Sequence, residues 1–97
     1  MRAKRDGLLR NVCIALGNAG TADDLPPLCR ALDDVSALVR GHAAWAIGRL
    51  AARRRGSAAG RQGLSRRLGI EQDQWVREEI ELALGALTQS SVVEPQS

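Results

Sequence analysis

Arg40-Gly41-His42-Ala43-Ala44-Trp45-Ala46-Ile47-Gly48 lies near the middle of this 97-residue chain and is echoed on both sides of itself. Leu9-Arg10-Asn11-Val12-Cys13-Ile14-Ala15-Leu16-Gly17 precedes it, and Arg77-Glu78-Glu79-Ile80-Glu81-Leu82-Ala83-Leu84-Gly85 follows it. Each copy ends in Ala, then Leu or Ile, then Gly. The three glycines are 31 and 37 residues apart, the period of a two-helix unit once an insertion around Gly56–Gly63 is allowed for. Val39, Ala43, Ala46, Ile47 and Leu50 share one helical face, and Val76, Ile80, Ala83, Leu84 and Leu87 repeat that face. The pattern therefore predicts an all-α stack of antiparallel helix pairs, about five helices in two to three repeats.

Working outward, a shorter helix is predicted before each of the later copies: residues 23–32 with Leu25, Leu28 and Leu32 inward, and residues 58–68 with Leu64 and Leu68 inward. These pair with helices at 37–53 and 75–88, and a first helix spans 7–18. Together they form one repeat domain over residues 1–88. Pro26 and Pro27 fit the first turn of a helix, where a missing N–H removes no needed hydrogen bond. Ser36 and Asp73 each stand four residues before a repeat arginine, placed to cap the helix that follows. The glycines at 17, 48 and 85 are read as places where neighbouring helices come close rather than as helix ends, because Arg49-Leu50-Ala51 continues the period past Gly48. From Gln89 to Ser97 no period remains, and a disordered tail is expected.

Phe and Tyr are absent, so aliphatic residues must fill the core. No apolar run is long enough to cross a membrane, and the basic start Met1-Arg2-Ala3-Lys4-Arg5 leads into no apolar signal segment, so a cytoplasmic location is expected. Cys13 and Cys29 lack any partner at metal-ligand spacing and read as small buried hydrophobes. The net charge of +3 hides an asymmetry: residues 1–67 carry 13 basic and 5 acidic side chains, whereas 68–97 carry 1 and 6. A basic surface of this kind favours a polyanionic partner.

Catalytic groups are scarce: one His, two separated Cys and no phosphate-cradling loop. Glu78, Glu79 and Glu81 read as a solvated surface. Two features point to binding. Leu38, His42, Trp45 and Arg49 form a stripe at i, i+4, i+7 and i+11 beside the core face, able to stack on a base or grip a phosphate. The other reading of the same stripe is a Trp45 packed under the next repeat with His42 bonded beside it. Arg49, Arg53, Arg54, Arg55, Arg61, Arg66 and Arg67 form a run with no acid among them, suited to tracking a nucleic-acid backbone or simply to solvating a loop.

The general repeat, a Val-Arg pair followed by alanines and a terminal Leu-Gly or Ile-Gly, resembles HEAT repeats of the PBS-lyase type, a helical repeat solenoid. The narrower strings Gly7-Leu8-Leu9-Arg10-Asn11 and Arg40-Gly41-His42-Ala43-Ala44-Trp45-Ala46 resemble the C-terminal HEAT-like part of epoxyqueuosine reductases over residues 5–87. That resemblance implies a cytosolic enzyme of queuosine biosynthesis, carrying cobalamin and two 4Fe–4S clusters, whose HEAT-like region helps hold the tRNA anticodon stem-loop. The chain lacks the corrin-binding domain and the C-x₂-C-x₂-C-x₃-C-P cysteine runs of that family, and two cysteines cannot ligate one cluster. A fragment is therefore expected, with no cofactor of its own, separated from an N-terminal catalytic domain and retaining the RNA-contacting part. Arg10, Asn11, Arg40 and His42 carry over from the matching strings, to which the stripe and arginine run add Trp45, Arg49, Arg53, Arg54 and Arg55. Arg40 has a second reading, as a brace for the turn between repeats. The rival functional class is a generic HEAT-repeat scaffold for a protein partner.

Overall fold

The computed structural model describes residues 2–53 and 58–92, and among them every regular element is helical. The helices are α1 (Arg2–Ala19), α2 (Leu25–Ala31), α3 (Ala37–Arg53), α4 (Ala58–Leu68) and α5 (Gln74–Val92), with a single 3-10 turn at Ala22–Asp24 ahead of α2. Two layers result. An inner row is formed by α1, α3 and α5, with α3 packed along both of the others, while α2 lies on α3 and α4 lies on α5 as an outer row.

Three boundaries differ from the sequence expectation by more than one residue. α1 begins at Arg2 rather than residue 7, because Arg2, Ala3, Lys4 and Arg5 have high helix propensity although they show no apolar period. The outer helix α2 starts only at Leu25, with Asp24 turned back to accept a hydrogen bond from the Thr21 N–H at 2.8 Å and the prolines in its first turn. α5 runs on to Val92, so residues 89–92, read as tail, are helical: once a helix is established each added residue gains a hydrogen bond. Residues 93–97 of the expected tail lie outside the described residues.

The core lies between the rows. Leu25 and Leu28 from α2, Leu32 just past its end and Leu64 from α4 meet Ala43, Ile47 and Leu50 from α3 and Val76, Ile80, Ala83 and Leu87 from α5, all buried. Alanine and glycine at the contacts let the inner helices approach closely. At Gly48 an added Cβ would stand 2.8 Å from the Ala83 Cβ of α5, while at Gly85, the same repeat position in the last helix, nothing lies within 4 Å. The close-approach reading therefore applies to Gly17 and Gly48, whereas Gly85 faces open space because the described inner row ends at α5.

The turns that join outer to inner helices are built twice from the same parts. Asp34 accepts the Ser36 N–H at 2.9 Å, the Ser36 hydroxyl accepts the Val39 N–H at 3.4 Å, and Arg40 donates back to the carbonyls of Asp34 and Val35 at 2.9 and 3.3 Å. Thirty-seven residues later Glu71 accepts the Asp73 N–H at 3.1 Å, Asp73 accepts the Val76 N–H at 3.0 Å, and Arg77 donates to the carbonyls of Leu68 and Glu71, both at 3.0 Å. Orphan amides at each helix start and carbonyls in each turn are thus satisfied by side chains within the motif.

Candidate functional site

One side of the inner row carries the outer helices; the other side is open. Leu38, His42, Trp45 and Arg49 project from α3 on the open side. Displaced by 37 residues, the same positions in α5 are Trp75, Glu79, Leu82 and Ala86, and displaced back by 31 they include Asn11, Ile14 and Asn18 in α1. All of these but Leu38 and Asn11 line two adjoining grooves. The first, about 390 Å³, is bounded by Trp45, Arg49, Arg53, Glu79, Leu82 and Ala86. The second, about 360 Å³, is bounded by Ile14, Asn18, His42, Trp45, Trp75 and Glu79. Trp45 and Glu79 belong to both.

Each tryptophan lies across a glycine of the preceding inner helix. A Cβ on Gly17 would stand 2.5 Å from Cζ3 of Trp45, and a Cβ on Gly41 would collide with the Trp75 ring. Both indoles are fixed in this way yet remain partly exposed. His42 donates from Nδ1 to the Leu38 carbonyl at 2.9 Å, which leaves Nε2 as its acceptor, and its ring tilts against Trp75 with centroids 5.5 Å apart. Each indole is thus packed on one face against the preceding inner helix, not under the next repeat, and is partly open on the other.

Arg49 and Arg53 reach across to the end of α1. Arg53 donates to the carbonyl of Gly17 at 2.8 Å and to that of Gly20 at 3.3 Å, and Arg49 donates to Gly17 at 3.3 Å with its guanidinium 5.2 Å from the Trp45 ring. The carbonyl end of a helix carries partial negative charge, which suits two cations there. Both arginines stay exposed and neither forms an ion pair among the described residues.

On the opposite flank four arginines are held by carboxylates. Arg40 meets Glu71 with two parallel hydrogen bonds of 2.9 Å, Arg67 meets the same carboxylate at 2.9 Å, and Asp33 takes Arg66 and Arg67 at 3.1 Å each. Arg5 of α1 pairs with Asp34 in the same fashion, one helix pair earlier. Burial alone would push the Glu71 carboxyl up, but the hydrogen bonds from Arg40, Arg67 and the Asp73 N–H outweigh it and hold its pKa at about 2. Arg40 is therefore engaged with the turn and with Glu71, which gives it the bracing role and places it away from the grooves.

Of the other sequence candidates, Arg10 is half-buried and donates to the Asn11 side chain at 3.2 Å, and Asn11 is exposed at the α1 position equivalent to His42. Arg54 and Arg55 lie outside the described residues. Trp75, Leu82, Ile14 and Asn18 also line the grooves although the α3 stripe alone does not point to them, and Glu79, expected on a solvated surface, is half-buried between the two grooves. Carrying the α3 stripe through the 31- and 37-residue displacements finds all of them.

Burial raises both thiols, Cys13 with a further push from Asp34 and Cys29 despite the nearby Arg66 and Arg30, so both are protonated at neutral pH. Among the described residues no group of three His, Cys, Asp or Glu side chains could hold a metal ion, and no helix is long and apolar enough to cross a membrane. The family model for HEAT repeats matches residues 2–85. No curated protein and no solved structure matches the chain.

Proposed function

Because the chain belongs to the HEAT-repeat family, whose stacked helix pairs form extended binding surfaces, we propose that it is a tRNA-binding module of an epoxyqueuosine reductase-like protein acting in cytoplasmic queuosine modification. The reductase chemistry belongs to a partner or domain outside these 97 residues. Cys13 and Cys29 sit on different helices and do not fit the four-thiolate requirement of an iron–sulfur cluster, so no redox step is assigned to them.

The observation that carries this reading is a pair of guanidiniums set beside an indole. Arg5, Arg40, Arg66 and Arg67 are each held by a carboxylate of Asp34, Glu71 or Asp33, whereas Arg49 and Arg53 form no ion pair among the described residues and stand beside Trp45 on the open side of the inner row. Exposed guanidiniums beside an indole face suit a phosphate backbone with an unstacked base next to it. Asn11, Asn18 and His42 add hydrogen-bonding groups along the same surface.

The reading is tested by the affinity of the full chain for a tRNA anticodon stem-loop over a salt series. The logarithm of affinity is expected to fall linearly with the logarithm of salt, by roughly 0.7–0.9 per phosphate neutralised. Replacing Arg49 and Arg53 by Gln should lower the slope by about one to two and weaken binding severalfold, with thermal unfolding followed in parallel because both side chains also hold the end of α1. Affinity at low salt no greater than that of a charge-matched helical protein sinks the proposal. The apolar wall of the first groove, Leu82 and Ala86 opposite Trp45, favours one second reading, a scaffold for a protein partner. Association that survives nuclease treatment would select it.

A further inference from the structure

The repeat itself marks a surface on α1 that the rest of the chain treats as core. Leu8 corresponds to Val39 and Val76, and Val12 corresponds to Ala43 and Ile80, by the same 31- and 37-residue displacements. The four residues in α3 and α5 are 0–1 % exposed, where α2 and α4 pack on those helices. Leu8 is 65 % exposed and Val12 44 %. Beside them an apolar groove of about 330 Å³ runs between α1 and α2, floored by Leu9, Val12, Leu16, Leu28 and Ala31. It occupies the place beside α1 that α2 holds beside α3 and α4 holds beside α5.

We propose that this groove is a docking site for an acidic amphipathic helix of a partner protein, lying on α1 as α2 and α4 lie on the inner helices that follow. The occupant's apolar face is set by the helices that fill the equivalent places: leucines four residues apart, as Leu64 and Leu68 in α4 or Leu28 of α2 and Leu32 just past its end. Its length is set by Leu8 to Leu16, about 12 Å of helix, so two to three turns suffice. Its charge is set by the rim. Arg30 lines the groove, and Lys4 and Arg2 stand one and two helical turns before Leu8 and Leu9 on the same side of α1; all three are exposed and without an ion pair among the described residues, while Asp34, the one acid lining the groove, is already held by Arg5. A helix with glutamates flanking its leucines meets this rim favourably. The surface lies on the outer side of α1, apart from Arg49, Arg53 and Trp45, so it does not depend on the RNA reading.

The test uses the full chain and a fluorescein-labelled, end-capped 14-residue peptide with leucines four apart on one face and glutamates elsewhere. Controls are a scrambled isomer and a version with lysine in place of every glutamate. The acidic peptide should bind at least tenfold more tightly than either control. Val12→Glu, at an exposed position, should weaken it at least tenfold without lowering the melting temperature, and Leu8→Glu should act likewise. The proposal is overturned if the scrambled peptide binds equally well or if Val12→Glu has no effect. It is also overturned if the chain alone sediments as a dimer that Val12→Glu dissociates, which would make a second copy the occupant.

Discussion

Glu71 is the residue on which the connection between repeats turns. It is 3 % exposed, and both of its carboxylate oxygens accept guanidinium hydrogen bonds, from Arg40 of the preceding inner helix and Arg67 of its own helix pair. Because the folded pKa of about 2 lies below the unfolded value near 4.5, the unfolded chain takes up the proton first. The contribution to stability is complete above about pH 4.5 and is lost as the pH falls toward 2, amounting to about 3 kcal/mol. Asp34, held low chiefly by the Arg5 hydrogen bond, loses its contribution in the same direction. Arg40→Ala should cost about 2–4 kcal/mol at pH 7 by leaving a buried carboxylate short of a partner. Urea midpoints of the variant and the parent should draw together as the pH falls to 2 and below, where Glu71 takes up its proton in the parent as well; a difference that persists there would show the loss to be packing instead. Sequence alone offered Arg40 either to RNA or to the turn. The choice was illegible there because Glu71 is 31 residues away and nothing local identifies it as a partner.

At the scale of elements, the seam between α3 and α5 is set by glycine. Adding a methyl at Gly48 forces the Ala83 Cβ and the α5 backbone, 2.8 and 3.1 Å from it, to move away, and such overpacking costs about 1–3 kcal/mol. The gain in helix propensity of Ala over Gly returns up to about 1 kcal/mol. Gly48→Ala should therefore be neutral to destabilising by about 2 kcal/mol, whereas Gly85→Ala, with open space around it, should stabilise by up to about 1 kcal/mol. Thermal melts of the two variants side by side check the sign at each position. The helical repeat and the caps at Ser36 and Asp73 could be read from the chain because period and capping are local. The start of α1 could not, since Arg2 to Asp6 contain no apolar spacing to reveal a helix. The open face was half legible: the α3 stripe was visible as a 3.6-residue pattern, but its continuation through Trp75 and Glu79 in α5 needed the repeat offset applied to polar as well as apolar positions.

Across the whole molecule, stability is passed from neighbour to neighbour, and α3 alone packs against α1, α2, α4 and α5. Amide hydrogen exchange should therefore be slowest in the middle of α3, around Ala43 to Leu50, and fastest among the described helices in the first turns of α1, whose outer side is uncovered. Equal protection along α1 and α3 would contradict a nearest-neighbour stack. The tryptophans give this arrangement an optical consequence. Trp45 rests on Gly17 across the junction of α1 with α3, and Trp75 rests on Gly41 across the junction of α3 with α5. With no tyrosine in the chain, ultraviolet emission comes from these two indoles, one for each junction. A single Trp→Phe replacement turns the protein into its own strain gauge for the junction that remains.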